Sequence, residues 1–170
     1  PVAADITLNE ATNDFEGLVS ASGDDVTLND TNDLTLGVVT AANKLDAEAK
    51  NTLDLSDTVK AAQTDLTSNE GAITQSDGTL EVTTGPTNLD ADTTIALNQA
   101  NDFVGPVNVL GGTDVTLNDT NDLALGTVTA DGALDATAAD DLSLTQDITA
   151  DSVDFEATAG ALSQAADKKV

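Results

Sequence analysis

Asp25–Gly37 reads DVTLNDTNDLTLG, and Asp114–Gly126 reads DVTLNDTNDLALG. The two stretches stand 89 residues apart and differ only at Thr35 and Ala124. A near-identical echo at a fixed distance is the signature of a repeat architecture, in which each unit buries its apolar face against the next. The same offset extends outward in both directions. Ile6 and Leu8 match Ile95 and Leu97, Leu45 and Ala47 match Leu134 and Ala136, and Leu53 and Leu55 match Leu142 and Leu144. Phe15 and Phe103 are 88 apart, one residue being lost before Phe103 and regained after it. The 170 residues therefore read as one domain, with a full repeat over 5–93 and a partial one over 94–170.

A shorter period runs inside each repeat. Apolar residues recur two apart in pairs such as Val26/Leu28, Leu34/Leu36 and Val39/Ala41, with Asn, Asp and Gly between the pairs. A period of two is a strand with alternate side chains on one face, and the polar spacers are corner formers. The pairs group in threes, so that Val19, Val39 and Val59 follow one another at intervals of 20 residues. This pattern predicts an all-β fold, a parallel β-helix of about eight three-stranded turns stacked over one continuous core. The expected core is Ile6, Leu8, Phe15, Val19, Val26, Leu28, Leu34, Leu36, Leu45, Leu53, Leu55 and Val59, with their counterparts one repeat on.

The corners carry their own expectations. Asn9 lies one turn before Asn29, and Asn98 one turn before Asn118, which predicts amide ladders along the axis. Gly17, Gly37, Gly105 and Gly126 are expected to supply left-handed corner backbone. With Ile6, Val26, Leu45, Thr64 and Ile95 as the first strands of successive turns, four turns make one repeat. The fourth turn then holds surplus residues around Thr84–Thr93. Gly85–Thr93 is expected to project as the most mobile loop, with Val82 and Ile95 in adjacent turns and the fold surviving its deletion.

Composition limits the partners. The formal net charge is −26, from 31 acidic residues against five basic ones, all Lys. Such a charge repels nucleic acid and anionic membrane surfaces. No apolar run reaches the length of roughly 18 residues that spans a bilayer. No leader-like segment is visible, which fits a mature piece or an excised fragment. Cys, Met, Trp, Tyr and His are all lacking, so disulfides and zinc–thiolate sites are excluded. The acidic surface reads as a solvated face that keeps a long fibre soluble.

Two kinds of chemistry remain to be weighed. Carboxylate pairs, Asp90 and Asp92 foremost, are candidate Ca²⁺ ligands, because that ion favours several oxygens. The EF-hand spacing and the glycine-rich nonapeptide of calcium-loaded β-rolls are both absent. Paired carboxylates also cleave glycosidic bonds, which makes a carbohydrate-binding or carbohydrate-cleaving module the rival class. Against it, the aromatic residues are only Phe15, Phe103 and Phe155, all at inward positions, and there is no Arg or His. The chain is expected not to be an enzyme and to need no cofactor.

Taken together, ITLNEATNDFEGLVS (Ile6–Ser20), DVTLNDTNDLTLG and GAITQSDGTL (Gly71–Leu80) resemble the strand repeats of filamentous-haemagglutinin-like bacterial surface proteins. The resemblance covers almost the whole chain. It implies a right-handed β-helical shaft, exported through an outer-membrane partner or as an autotransporter-like passenger. It implies an extracellular or cell-surface location and carries over no catalytic residue. The expected partners are copies of the chain or adjacent repeats, stacked end to end; no receptor is specified. At Lys168-Lys169-Val170 the repeat pattern breaks, since Thr79-Leu80-Glu81 stands there in the first repeat.

Overall fold

The computed structural model describes residues 4–170. Strands form wherever apolar and polar residues alternate, because one face then buries while the other is solvated. Val26–Asp30 is the pattern in miniature: Val26, Leu28 and Asp30 are buried, while Thr27 and Asn29 are half-buried on the outside. Eighteen strands join in one sheet, every pairing is parallel, and no helix occurs among the described residues. The sheet coils on itself as a β-solenoid of about eight turns, each with three sides.

The register defines the sides. On side A, Ile6, Val26, Leu45, Thr64, Thr87 and Val107 stack in that order. Side B stacks Leu34, Leu53, Ile73, Ile95, Val115, Leu134 and Val153. On side C, Val39 lies under Val59 and Leu80, and the neighbouring Ala61 lies under Val82 and Phe103. The inward residues of the middle turns are sealed: Leu34, Leu45, Leu53, Val59, Ile73 and Leu80 are all 0% exposed. Each such side chain contributes about 1.5–3 kcal/mol on burial, so the stack of turns is its own core.

The 89-residue repeat is not a whole number of turns. Four turns above Val26 on side A stands Val107. Val115, the sequence counterpart of Val26, lies one side further on, in the stack of side B. The repeat thus advances four and a third turns, and its second copy is rotated by one side. Leu34 of side B accordingly has its counterpart Leu123 stacked with Leu142 and Leu162 on side C.

This overturns the expected loop. Thr87–Ala91 is a strand, paired with Thr64–Ser68 below and with Val107–Gly111 above. Thr87, Leu89 and Ala91 point inward and are buried; Asn88 and Asp90 point outward. The surplus residues are an extra side of the solenoid. Ile95 therefore stacks on Ile73 of side B, whereas the expected spacing put it on Thr64. Excision of this strand would remove pairing on two sides, so the fold is not expected to survive the deletion.

The corners differ from expectation as well. Among the described residues, only Gly78 and Gly112 of the glycines, and Asp167 of the others, have positive φ. Gly17, Gly37, Gly105 and Gly126 do not, and neither do the corner asparagines. Gly105 and Gly126 are there for close approach. A Cβ at Gly105 would strike the carbonyl of Gly85 one turn below, and one at Gly126 would strike the side chain of Asn108. Gly17 has open space around it and no such constraint.

Candidate functional surfaces

The NDTND corner that opened the sequence reading holds a buried carboxylate. Asp30 and Asp119, equivalent across the repeat, are each 1% exposed. Asp30 accepts the Phe15 amide at 3.0 Å through Oδ2 and the Asn32 amide at 2.8 Å through Oδ1. Asp119 accepts the Phe103 amide at 3.1 Å and the Asn121 amide at 2.9 Å in the same way. One carboxylate thus ties its own corner to the backbone of the turn below, 15 residues earlier at Phe15 and 16 residues earlier at Phe103. Burial pushes the Asp119 carboxyl up to about 6, against the pull of its two amide donors; Asp102 and Asp122 add like-charge repulsion. Phe103 is buried in the core, while Phe15 and Phe155 pack against it half-buried in the first and last turns.

A second buried polar group had no signal in the sequence. Asn101, 0% exposed, takes the inward place on side C between two turns. Its Oδ1 accepts from Gln75 Nε2 at 2.7 Å and from the Leu80 amide at 2.9 Å. Its Nδ2 donates to the carbonyls of Leu97 at 3.0 Å and Asn118 at 3.2 Å. The amide is satisfied on both ends, as burial requires.

The expected Asn ladders do not form at the predicted positions. Asn9 is exposed outside the strands. Asn29 donates to Glu48 at 2.9 Å, and Asn118 to the Gln99 carbonyl at 2.9 Å, rather than to Asn9 and Asn98. A polar ladder does run up the outside of side A. Asn108 Nδ2 donates to Asn88 Oδ1 at 2.8 Å, and Asn88 Nδ2 to Asp65 Oδ1 at 2.6 Å. Lys44 closes its lower end, with Nζ 2.5 Å from Asp65 and 3.4 Å from Asp46. The bond to Asp65 holds the Lys44 ammonium above its ordinary value.

The calcium candidates sit on this face. Asp90 is outward on its strand and Asp92 lies in the corner after it; both are exposed. Asp90 borders an open cleft with Asp46, Asp65, Asn88 and Leu110. No cluster of three or more carboxylates fit to hold a metal occurs among the described residues. Lys44 already bridges Asp46 and Asp65.

The two end turns form the remaining surface. Leu8 is 44% exposed, whereas Leu28, stacked above it in the next turn, is 1% exposed. At the other end Val153 is 41% exposed, and Leu134 beneath it is 1% exposed.

A coiled parallel sheet, a rotated internal repeat and tied acidic corners define a β-solenoid repeat protein. The family model described as "Repeats of unknown function (DUF5649)" matches residues 2–22, 47–110 and 112–166, and the chain belongs to that family. No curated protein and no solved structure matches the chain.

Proposed function

We propose that this chain is a length of structural shaft in a bacterial extracellular or cell-surface fibre, an adhesin-type stalk whose turns continue end to end. The observation that carries this reading is a stack of parallel turns that pair with one another along a single axis over one sealed core. The side walls are mostly polar and acidic, interrupted by exposed Leu18, Val38, Val104 and Leu110, while the inward apolar residues of the middle turns are sealed. A solenoid end also leaves a whole turn of backbone N–H and C=O groups unpaired, which is a template for a further turn. The side walls serve solubility: with a net charge of −26, rods repel one another laterally and growth along the axis is favoured. The resemblance to filamentous-haemagglutinin-like shafts supports the same reading.

The test is the length of the particle in solution. Small-angle scattering should show a rod of roughly 40 Å, from about 4.8 Å per turn, that lengthens at constant cross-section as concentration and salt rise. A rod of constant length that binds a glycan tightly at the Asp46/Asp65/Asp90 cleft would replace the shaft with the carbohydrate-binding module.

A further inference from the structure

We propose that Asp77 is a self-modification site: the chain spontaneously converts the Asp77–Gly78 linkage to isoaspartate through a cyclic imide, while a second Asp–Gly pair, Asp131–Gly132, is held inert by its hydrogen bonds.

Asp is followed by Gly at two places in the chain, 77–78 and 131–132. Gly is the least hindered neighbour for such a reaction, since it puts no side chain beside its own nitrogen. Both aspartates are exposed. They differ in where the glycine amide points. The Gly78 amide donates to Asp77 Oδ1 at 2.9 Å, so the carboxyl group lies against the nitrogen that attacks it. The Gly132 amide instead donates to the Thr113 carbonyl at 3.0 Å, and the Asp131 amide to the Gly112 carbonyl at 2.8 Å. Asp57, in the turn below Asp77, supplies the complementary comparison. The Thr58 amide donates to Asp57 Oδ1 at 2.7 Å, the same contact, but the neighbour is β-branched and crowds its own nitrogen. Asp77 combines the contact with a glycine.

The corner at Asp77 is loosely tied. The Asp77 amide reaches the Leu55 carbonyl at 3.4 Å, and Gln75 Nε2 reaches the Gly78 carbonyl at 3.4 Å. Hydrogen bonds this long are weak, so the Gly78 nitrogen is free to turn its face to the carboxyl carbon. The reaction is a dehydration followed by a hydration. The Gly78 nitrogen bonds to Asp77 Cγ and gives up its proton. The protonated carboxyl loses its hydroxyl, which leaves with that proton as water. A second water then opens the imide. Cleavage of the new Cγ–N bond restores aspartate. Cleavage of the bond between the Asp77 main-chain carbonyl carbon and the Gly78 nitrogen leaves the chain running through Cγ, with the former carbonyl as the free carboxylate. One water is lost and one is gained, and no oxidant or cofactor takes part.

The added backbone carbon enters a crowded corner. A Cβ on Gly78 would strike the Asp57 backbone, and the corner joins Ile73–Gln75 on side B to Leu80–Val82 on side C. Converted chains should therefore unfold at lower urea concentration than unconverted ones.

The test uses the unaltered protein, incubated at mildly acidic pH in water enriched in heavy oxygen, once folded and once unfolded in urea. Each imide that opens leaves one solvent oxygen in the chain. Peptide fragmentation then locates the label and separates the two linkages. In the unfolded chain positions 77 and 131 should label alike. In the folded protein position 77 should label about five- to tenfold faster than position 131, the factor for breaking one backbone hydrogen bond. Thr58→Gly should bring Asp57, otherwise unlabelled, up to the rate of Asp77. Equal labelling of 77 and 131 in the folded protein, or an unlabelled Asp57 in folded Thr58→Gly, would overturn the role given to the amide contact. An unlabelled Asp77 in the folded protein would overturn the site itself.

Discussion

Thr64 and Thr87 stack on each other on side A, both 0% exposed, between Leu45 below and Val107 above. Their hydroxyls are the buried side-chain polar atoms left without a hydrogen-bond partner among the described residues. An unsatisfied buried hydroxyl costs about 1–3 kcal/mol. Valine has the same shape and adds apolar surface in place of the oxygen. Thr64→Val and Thr87→Val should therefore each stabilise the fold by about 1–2 kcal/mol, and the double variant by about 2–4 kcal/mol, less any coupling between the touching sites. Urea unfolding followed by far-UV circular dichroism reads this directly: the midpoint should rise with the slope unchanged. The four-member cycle also tests the premise. If the hydroxyls bonded to each other, each single change would orphan its neighbour and destabilise, while the double change would be near neutral. That pattern would refute the reasoning.

Three further outcomes follow from the repeat and its corners. Ala133 stands where Lys44 stands in the first repeat, and Asp135 and Asp154 face each other in register without a cation; Ala133→Lys should stabilise by about 0.2–1 kcal/mol at low salt, with the gain fading as salt is added to the unfolding assay. Gly78 has φ +72°, and a Cβ there would strike the backbone of Asp57; Gly78→Ala should lower the urea midpoint by the equivalent of about 1–3 kcal/mol or more. Asp119 binds its proton more tightly folded, at about 6, than an unfolded aspartate does, at 3.8. The native state then holds more protons between those values, so this group's contribution is complete below pH 3.8 and is lost as pH rises through 6. Stability of the parent relative to Asp119→Asn should fall from pH 4.5 to 7.5 by about 2 kcal/mol; parallel stability–pH curves for the two proteins would contradict it.

Much of this architecture could be read from residue pattern, because strand period and repeat offset act through the same inward residues. Leu34, Leu53 and Val59 are apolar, inward and 19 or 20 residues from their stacking partners, and they stack as expected. The extra side escaped because its evidence is thin. In TNLDA (Thr87–Ala91) only Leu89 is a strong apolar residue; inward Thr87 reads as a loop residue, and Pro86 and Gly85 precede it. Hydrogen bonding from its neighbours on both sides outweighs that weak local preference. The Asn corners misled for a different reason. Spacing placed Asn9 and Asn29 one turn apart, but Glu48 in the following turn offers Asn29 a charged acceptor. Asp30 and Asp119 sat in view inside the repeated motif, yet their burial depends on the Phe15 and Phe103 amides of the turn below, which no local pattern reveals.

The central claim is that Thr87–Ala91 is a side of the solenoid, which places Ile95 over Ile73. A cysteine pair measures this directly. Ala96 is the outward neighbour of Thr74 in the structure, whereas a looped-out Gly85–Thr93 would make it the neighbour of Asp65. Oxidation of Thr74→Cys/Ala96→Cys should form an intrachain disulfide in nearly every molecule, read by thiol titration and intact mass, and Asp65→Cys/Ala96→Cys should keep two free thiols. The opposite result, a closed bridge at 65/96 and free thiols at 74/96, would contradict the account.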